Sequence, residues 1–182
     1  MGEQQIPMHF VSTLSEAESL INKHSRFWVS NCGCRERKGS CAQSRMDVCL
    51  MLSGSFQSSG SDKKEISRED VNAILNEARN GNLVARPFRN DDRTSVDGIC
   101  FCCKDCCEYF SNPSEVCDKG AFVEKTDIDS CSDCGVCADV CYFNARLIDD
   151  DKLSVTTENC YGCGLCVDVC PEACIEMVNR IN

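Results

Sequence analysis

The sequence predicts an α+β chain in two parts, a mainly helical cysteine-rich region over residues 1–120 and a smaller unit over 121–182 made of two pseudo-symmetric halves. Three observations carry this. Two amphipathic helix patterns occur in the first half of the chain, one of them capped. An eleven-residue cysteine pattern occurs twice near the end, "CSDCGVCADVC" at 131–141 and "CYGCGLCVDVC" at 160–170, with seven of eleven positions identical and an offset of 29 residues. The 19 cysteines among 182 residues fall in three groups, over 32–49, 100–117 and 131–174. Two copies of a repeat are too few to stack as a solenoid, so the duplication reads as two halves of one small unit.

The elements follow in chain order. Residues 14–24 read as a helix, with Leu14, Ala17, Leu20 and Ile21 on one face. The run "RFWVSNCGC" is strand-like and delivers the first cysteines. Residues 53–64, "SGSFQSSGSDKK", are rich in Ser and Gly and read as a loop. A helix then begins at Ser67, which caps it, with Asp70 reaching back and Ile66 and Val71 as the hydrophobic staple. Its stripe is Val71, Ile74, Leu75 and Ala78, and Gly81 is the expected stop. Between the two repeat copies, "YFNARLIDDDKLSVTTEN" reads as a strand, an acidic turn at residues 149–151 and a second strand.

Composition narrows the classes. An odd number of cysteines, many adjacent or one residue apart, does not suit a disulfide scaffold. The first twenty residues show no basic region followed by an apolar block, and no apolar run reaches the roughly 18 residues of a membrane span. The expectation is a cytoplasmic chain in a reducing, anaerobic setting, where thiols stay available as ligands. A formal charge of −10 disfavours nucleic acid and anionic membranes and favours a partner protein with a basic docking surface. His9 and His24 lie outside any ligand-spaced motif and read as surface residues.

Thiolates are soft ligands that suit iron–sulfur clusters and zinc. Zinc ribbons use two C-x2-C pairs across a longer spacer, whereas this chain places four cysteines within eleven residues, twice. The C-x2-C-x2-C-x3-C run lets three thiols wrap one cubane while the fourth reaches the cluster of the other half. In this motif residues 122–182 resemble the bacterial two-cluster ferredoxins. The resemblance implies one [4Fe-4S] cluster on Cys131, Cys134, Cys137 and Cys170, and a second on Cys160, Cys163, Cys166 and Cys141. Gly135 and Gly164 allow the backbone to turn close to inorganic sulfide. Two positions depart from the family pattern. Tyr142 stands where the second copy has Pro171, implying a changed turn or a shielding ring. Cys174 stands where a small residue is usual, its counterpart being Ala145, and reads as a buried small hydrophobe.

The earlier cysteines are Cys32, Cys34, Cys41 and Cys49, then Cys100, Cys102, Cys103, Cys106 and Cys107, then Cys117, which reads as a free thiol in a polar loop near Pro113. Their layout, "VxxCxCR…C…DxC", "ISxEDxxxIL", "GNLV" and "ICxCCxxCC", resembles a cysteine-rich region of ferredoxin-type proteins of anaerobes. One or two further iron–sulfur clusters are expected, either a cubane per group or one enlarged, unusual cluster where the groups converge. An all-thiolate zinc site is the alternative. In extended backbone the adjacent pairs Cys102–Cys103 and Cys106–Cys107 point to different sides, which favours sharing between sites. A thioredoxin-like dithiol at Cys103 and Cys106 would need a βαβ setting, which the pattern lacks, while a dithiol beside a cluster that reduces disulfides stays an alternative. Arg35, Arg37, Lys38 and Arg45 form the basic concentration of an acidic chain, placed to neutralise thiolates or bind an anionic substrate.

No nucleophile–base pair, phosphate loop or dinucleotide fingerprint is present, so no catalytic residue is expected. The leading expectation is a low-potential ferredoxin with additional N-terminal clusters, acting as an electron carrier. The alternatives are a reductase whose N-terminal cluster reduces a small molecule with electrons from the ferredoxin unit, and a zinc-stabilised docking module fused to a ferredoxin.

Overall fold

The computed structural model describes residues 6–111 and 115–181. The expected polar loop at Pro113 lies outside the described residues. In chain order come β1 (His9–Phe10), α1 (Leu14–Ile21), β2 (Phe27–Ser30), α2 (Gly33–Lys38), β3 (Cys49–Met51), β4 (Lys64–Ile66), α3 (Arg68–Asn80), β5 (Val84–Arg89), β6 (Val96–Cys102), α4 (Glu108–Ser111) and β7 (Cys117–Asp118). Then follow β8 (Phe122–Thr126), α5 (Val136–Asp139), β9 (Arg146–Asp149), β10 (Lys152–Val155), α6 (Leu165–Val169) and β11 (Ile175–Asn179).

The chain is α+β, but its N-terminal part is not mainly helical. Seven strands form one sheet in the order β4-β2-β3-β6-β5-β1-β7, antiparallel except for the β1–β7 pair. Most of these strands are too short to show a pattern of their own, and in β3, β6 and β7 cysteines interrupt the apolar alternation. In β6, Ile99 and Phe101 face one way while Cys100 and Cys102 face the other, a period-2 pattern that reading the cysteines only as ligands obscures.

The two faces of this sheet have different chemistry. Register places Val29 opposite Leu50, Leu50 opposite Ile99 and Phe101 opposite Ala85, so these side chains share a face. Helices α1 and α3 cover it with Leu14, Ala17 and Ile21 and with Val71, Ile74, Leu75 and Ala78. Both helices begin with a reciprocal capping box, Thr13 with Glu16 and Ser67 with Asp70. The opposite face carries Cys49, Met51, Phe88 and Cys100, with Arg86 directly across from Cys100. Loop 53–63 passes this side, where Phe56 packs on Phe88.

The C-terminal residues repeat one local plan. A 3-10 turn at Ile128–Ser130 precedes the first cysteine loop and another at Thr157–Asn159 precedes the second. Gly135 (φ 79°) and Gly164 (φ 80°) then start α5 and α6 from the left-handed region, which costs glycine little. Strands β8 and β11 pair antiparallel, as do β9 and β10, the latter through a turn at Asp150 (φ 46°) and Asp151 (φ 61°). One apolar cluster runs from the helix-covered face of the large sheet to Val140, Tyr142 and Leu165, so the repeat is packed onto the sheet. Among the described residues no helix is long and apolar enough to cross a membrane.

Candidate metal centres

The repeat surrounds two small cavities. One is lined by Cys131, Cys134, Cys137 and Cys170, with Cys174, Leu153 and Ile175. The other is lined by Cys160, Cys163 and Cys166 and by Cys141 of the first copy, with Phe143, Tyr161 and Met177. Each cavity therefore takes three thiols from one copy and the fourth from the other. Burial pushes the Cys163 thiol up to about 12 and the Cys166 thiol up to about 11, the latter eased by Arg146. Thiols held so far from ionisation in apolar walls need a positive partner to act as thiolates.

Arg146, on β9, supplies one. It is 1% exposed, donates from Nη1 to Cys137 Sγ at 3.4 Å, and is ion-paired with buried Glu124. Cys174, expected as a buried hydrophobe, is buried, yet its Sγ lies 3.5 Å from that of Cys170. Tyr142 is a buried ring packed on Phe110 at 5.5 Å, and its hydroxyl donates to Gln43 Oε1 at 3.1 Å.

The N-terminal thiols divide into two sets. Strand alternation and the loops at the end of the sheet gather Cys32, Cys34, Cys49, Cys100, Cys102 and Cys107. In this set Cys32 interacts with Cys34, Cys34 with Cys107, Cys107 with Cys102, and Cys49 with Cys100. Cys41, Cys103 and Cys106 form a separate triangle, with Sγ separations of 3.5, 3.4 and 3.5 Å. The adjacent pairs split between sets, Cys102 and Cys107 to the first, Cys103 and Cys106 to the second. Cys117 is buried on β7 beside Arg86.

The six-thiol set has its own buried cation. Arg86, 2% exposed, donates from Nη1 to Cys107 Sγ at 3.5 Å and Cys102 Sγ at 3.7 Å, and from Nη2 to Glu115 at 2.6 Å. The Cys107 thiol, with Arg86, brings Cys102 down to about 6 despite burial. Arg37 Nη2 lies 3.7 Å from Cys34 Sγ while the same side chain pairs with Glu108. His9, expected on the surface, is half-buried, with Nε2 at 4.0 Å from Cys100 Sγ and Nδ1 at 2.8 Å from Glu115. Of the other basic residues, Lys38 pairs with Asp105, Arg45 with Asp47 and Glu77, and Arg35 is fully buried beside Cys106.

A common feature tests whether these thiols suit an anionic group. Arg35, Arg86 and Arg146 are the three buried arginines, each stands beside a different thiol set, and each keeps a buried Nε without a hydrogen-bond partner among the described residues. A buried cation with an unused donor is costly unless negative charge lies nearby. Glu115 and Glu124 supply such charge to Arg86 and Arg146, whereas Arg35 has no carboxylate ion pair among the described residues; thiolate-ligated metal supplies it there and adds to it at the other two, so the donor sets fit. Sequence reading singled out Arg35 and missed Arg86, Arg146 and His9. An arginine inside the otherwise apolar strand run "VARPF" was the available signal.

Residues 122–171 match the family model of the 4Fe-4S dicluster domain. No curated protein matches the chain. The matched stretch is an iron–sulfur, ferredoxin-like segment, and with the cysteine sets around it supports iron–sulfur binding and a role in electron transfer.

Proposed function

We propose that the chain is a low-potential electron carrier of the bacterial two-cluster ferredoxin type, extended at its N-terminus by one or two further iron–sulfur centres. The observation that carries this reading is the pair of cavities, each lined by three thiols of one repeat copy and one of the other, with Cys174 besides in the first. One [4Fe-4S] cluster takes Cys131, Cys134, Cys137 and Cys170, and the other takes Cys160, Cys163, Cys166 and Cys141. The further centres draw on Cys32, Cys34, Cys41, Cys49, Cys100, Cys102, Cys103, Cys106 and Cys107. When bound, the clusters supply one-electron chemistry over a wide range of potentials. The protein's share is to exclude water with Phe143, Tyr161 and Met177 and to place buried cations beside the thiolates. On this reading residues 1–120 and 121–182 are the two functional units, the setting is anaerobic and cytoplasmic, and an acidic surface docks to a basic patch of a redox partner.

Iron, zinc and acid-labile sulfide analysis of the full chain, purified without oxygen, tests the proposal alongside electron paramagnetic resonance of the reduced protein. We expect at least eight iron and eight sulfide from the repeat, with further metal from the N-terminal thiols. A protein containing zinc and no sulfide overturns it. The gathering of His9, Arg86 and Glu115 against Cys100, Cys102 and Cys107 favours a second reading, a reductase acting on a small molecule at the N-terminal centre. A spectrum of the reduced protein that shifts on adding cyanide or azide supports that reading over a pure carrier.

A further inference from the structure

We propose that Cys41, Cys103 and Cys106 form a mononuclear metal site that holds one soft divalent ion, ferrous iron or zinc, through three thiolates. This deepens the reading above, and rests on its premise that the N-terminal thiols bind metal, by withdrawing these three from the iron–sulfur ligands.

Scale carries the argument. Three thiolates around one tetrahedral ion at about 2.3 Å stand about 3.8 Å apart. The triangle's edges, 3.4 to 3.5 Å, are of that size. Thiolates on different irons of a cubane stand farther apart, because two iron–sulfur bonds and an iron–iron separation lie between them. The molecule supplies its own contrast. Among the described residues no other trio of Cys, His, Asp or Glu brings its ligand atoms within 4.8 Å of one another, and that includes the thiols of the two ferredoxin-like cavities.

Chain geometry holds the triangle. Cys103 and Cys106 lie on one turn at the end of β6, where Cys107 N–H donates to Cys103 O at 3.2 Å. Cys41 arrives from a distant loop, fixed by Ala42 N–H donating to Asp105 Oδ2 at 2.9 Å and by Lys38 Nζ donating to Asp105 O at 2.6 Å. The charge also closes. Three thiolates and a divalent ion carry one negative charge, and the fully buried Arg35 beside Cys106 carries one positive charge with its Nε unused. With three protein ligands, the fourth position falls to water or a small exogenous ligand, as in open thiolate sites.

The test is metal and sulfide content of the full chain, purified without oxygen, as wild type, Cys103→Ser and Cys41→Ser. The expected result is loss of one metal per chain in each variant, with sulfide content and the resonance signals of the reduced clusters unchanged. The element lost tells iron from zinc. Loss of about four iron together with four sulfide makes the triangle a cubane corner, and unchanged metal means the thiols hold none; either overturns the proposal. The unmodified protein gives a readout that no folding failure can blur. Where the resident metal is zinc, zinc-edge X-ray absorption of the protein as purified should show three sulfur neighbours at about 2.3 Å, and a shell of oxygen and nitrogen alone overturns the site; where it is iron, the unmodified chain should carry one iron more than its sulfide, and equal iron and sulfide overturn the site. Iron without sulfide throughout would sink the ferredoxin reading while leaving this one standing.

Discussion

At the scale of single residues, buried arginines and thiols act as matched charges. Arg146 and Glu124 are 1% and 4% exposed at the side chain and share one ion pair. Arg146→Met strands the Glu124 carboxylate, and breaking such a pair costs about 3–5 kcal/mol. We expect thermal unfolding to show that loss, and Glu124→Gln in the same chain to recover part of it. Removing a positive charge beside Cys137 also disfavours added electrons, so voltammetry of the variant should show a more negative potential. Cys174 is the other informative residue. It lies 3.5 Å from Cys170 but repeats the position of Ala145 in the second half. Cys174→Ala should keep the iron content of the wild type, and loss of about four iron would make it a ligand.

At the scale of elements, α3 shows how local chemistry sets a boundary. Ser67 Oγ accepts from Asp70 N–H at 3.2 Å, and Asp70 Oδ2 accepts from Ser67 N–H at 3.0 Å. Losing a cap of this kind costs about 1 kcal/mol, so Ser67→Ala should lower the melting temperature without changing metal content. The same contacts, Ser67 N–H first and its hydroxyl second, hold the Asp70 carboxyl below its usual range. A depressed carboxylate pKa contributes stability that is present above the unfolded value of about 3.9 and is lost as pH falls through the folded value. Acid titration of wild type and Asp70→Asn should therefore differ above pH ~4 and converge below it. The sheet works by alternation, sending apolar side chains to the helices and thiols to the other face from the same strands.

At the scale of the molecule, aromatic rings join the repeat to the sheet. Phe110 packs on Tyr142 and Phe143 at 5.5 Å each, and Phe143 stacks on Tyr161 at 4.4 Å. Lys104, between the triangle thiols Cys103 and Cys106, reaches Cys141 O at 3.4 Å. Tyr142→Ala removes a buried ring and its hydrogen bond to Gln43, a loss of about 3 kcal/mol. Unfolding of the metal-loaded protein should show that decrease, and the cluster signals of the repeat should persist. The net charge of −10 acts over the whole surface. Electron transfer to a basic probe protein should slow steeply as salt is raised, and transfer to an acidic one should not.

The sequence by itself determined the duplicated cysteine unit, the capped helix and its buried stripe, and the acidic hairpin turn, because each is encoded within about a dozen consecutive residues. Spacing of three along a turning backbone names a cluster loop wherever it occurs. The large sheet was not legible, since two- to seven-residue strands gain their identity from partners far away in the chain, and in β3, β6 and β7 cysteines stand where an apolar alternation would be read. Nor could spacing say that Cys41 joins Cys103 and Cys106 across 62 residues, or that Arg86, Arg146 and His9 stand against sulfur. Those groupings depend on strand register and on which face of the sheet a side chain takes. Register is a property of the assembled sheet, and a slip of one residue would move every thiol on a strand to the other side.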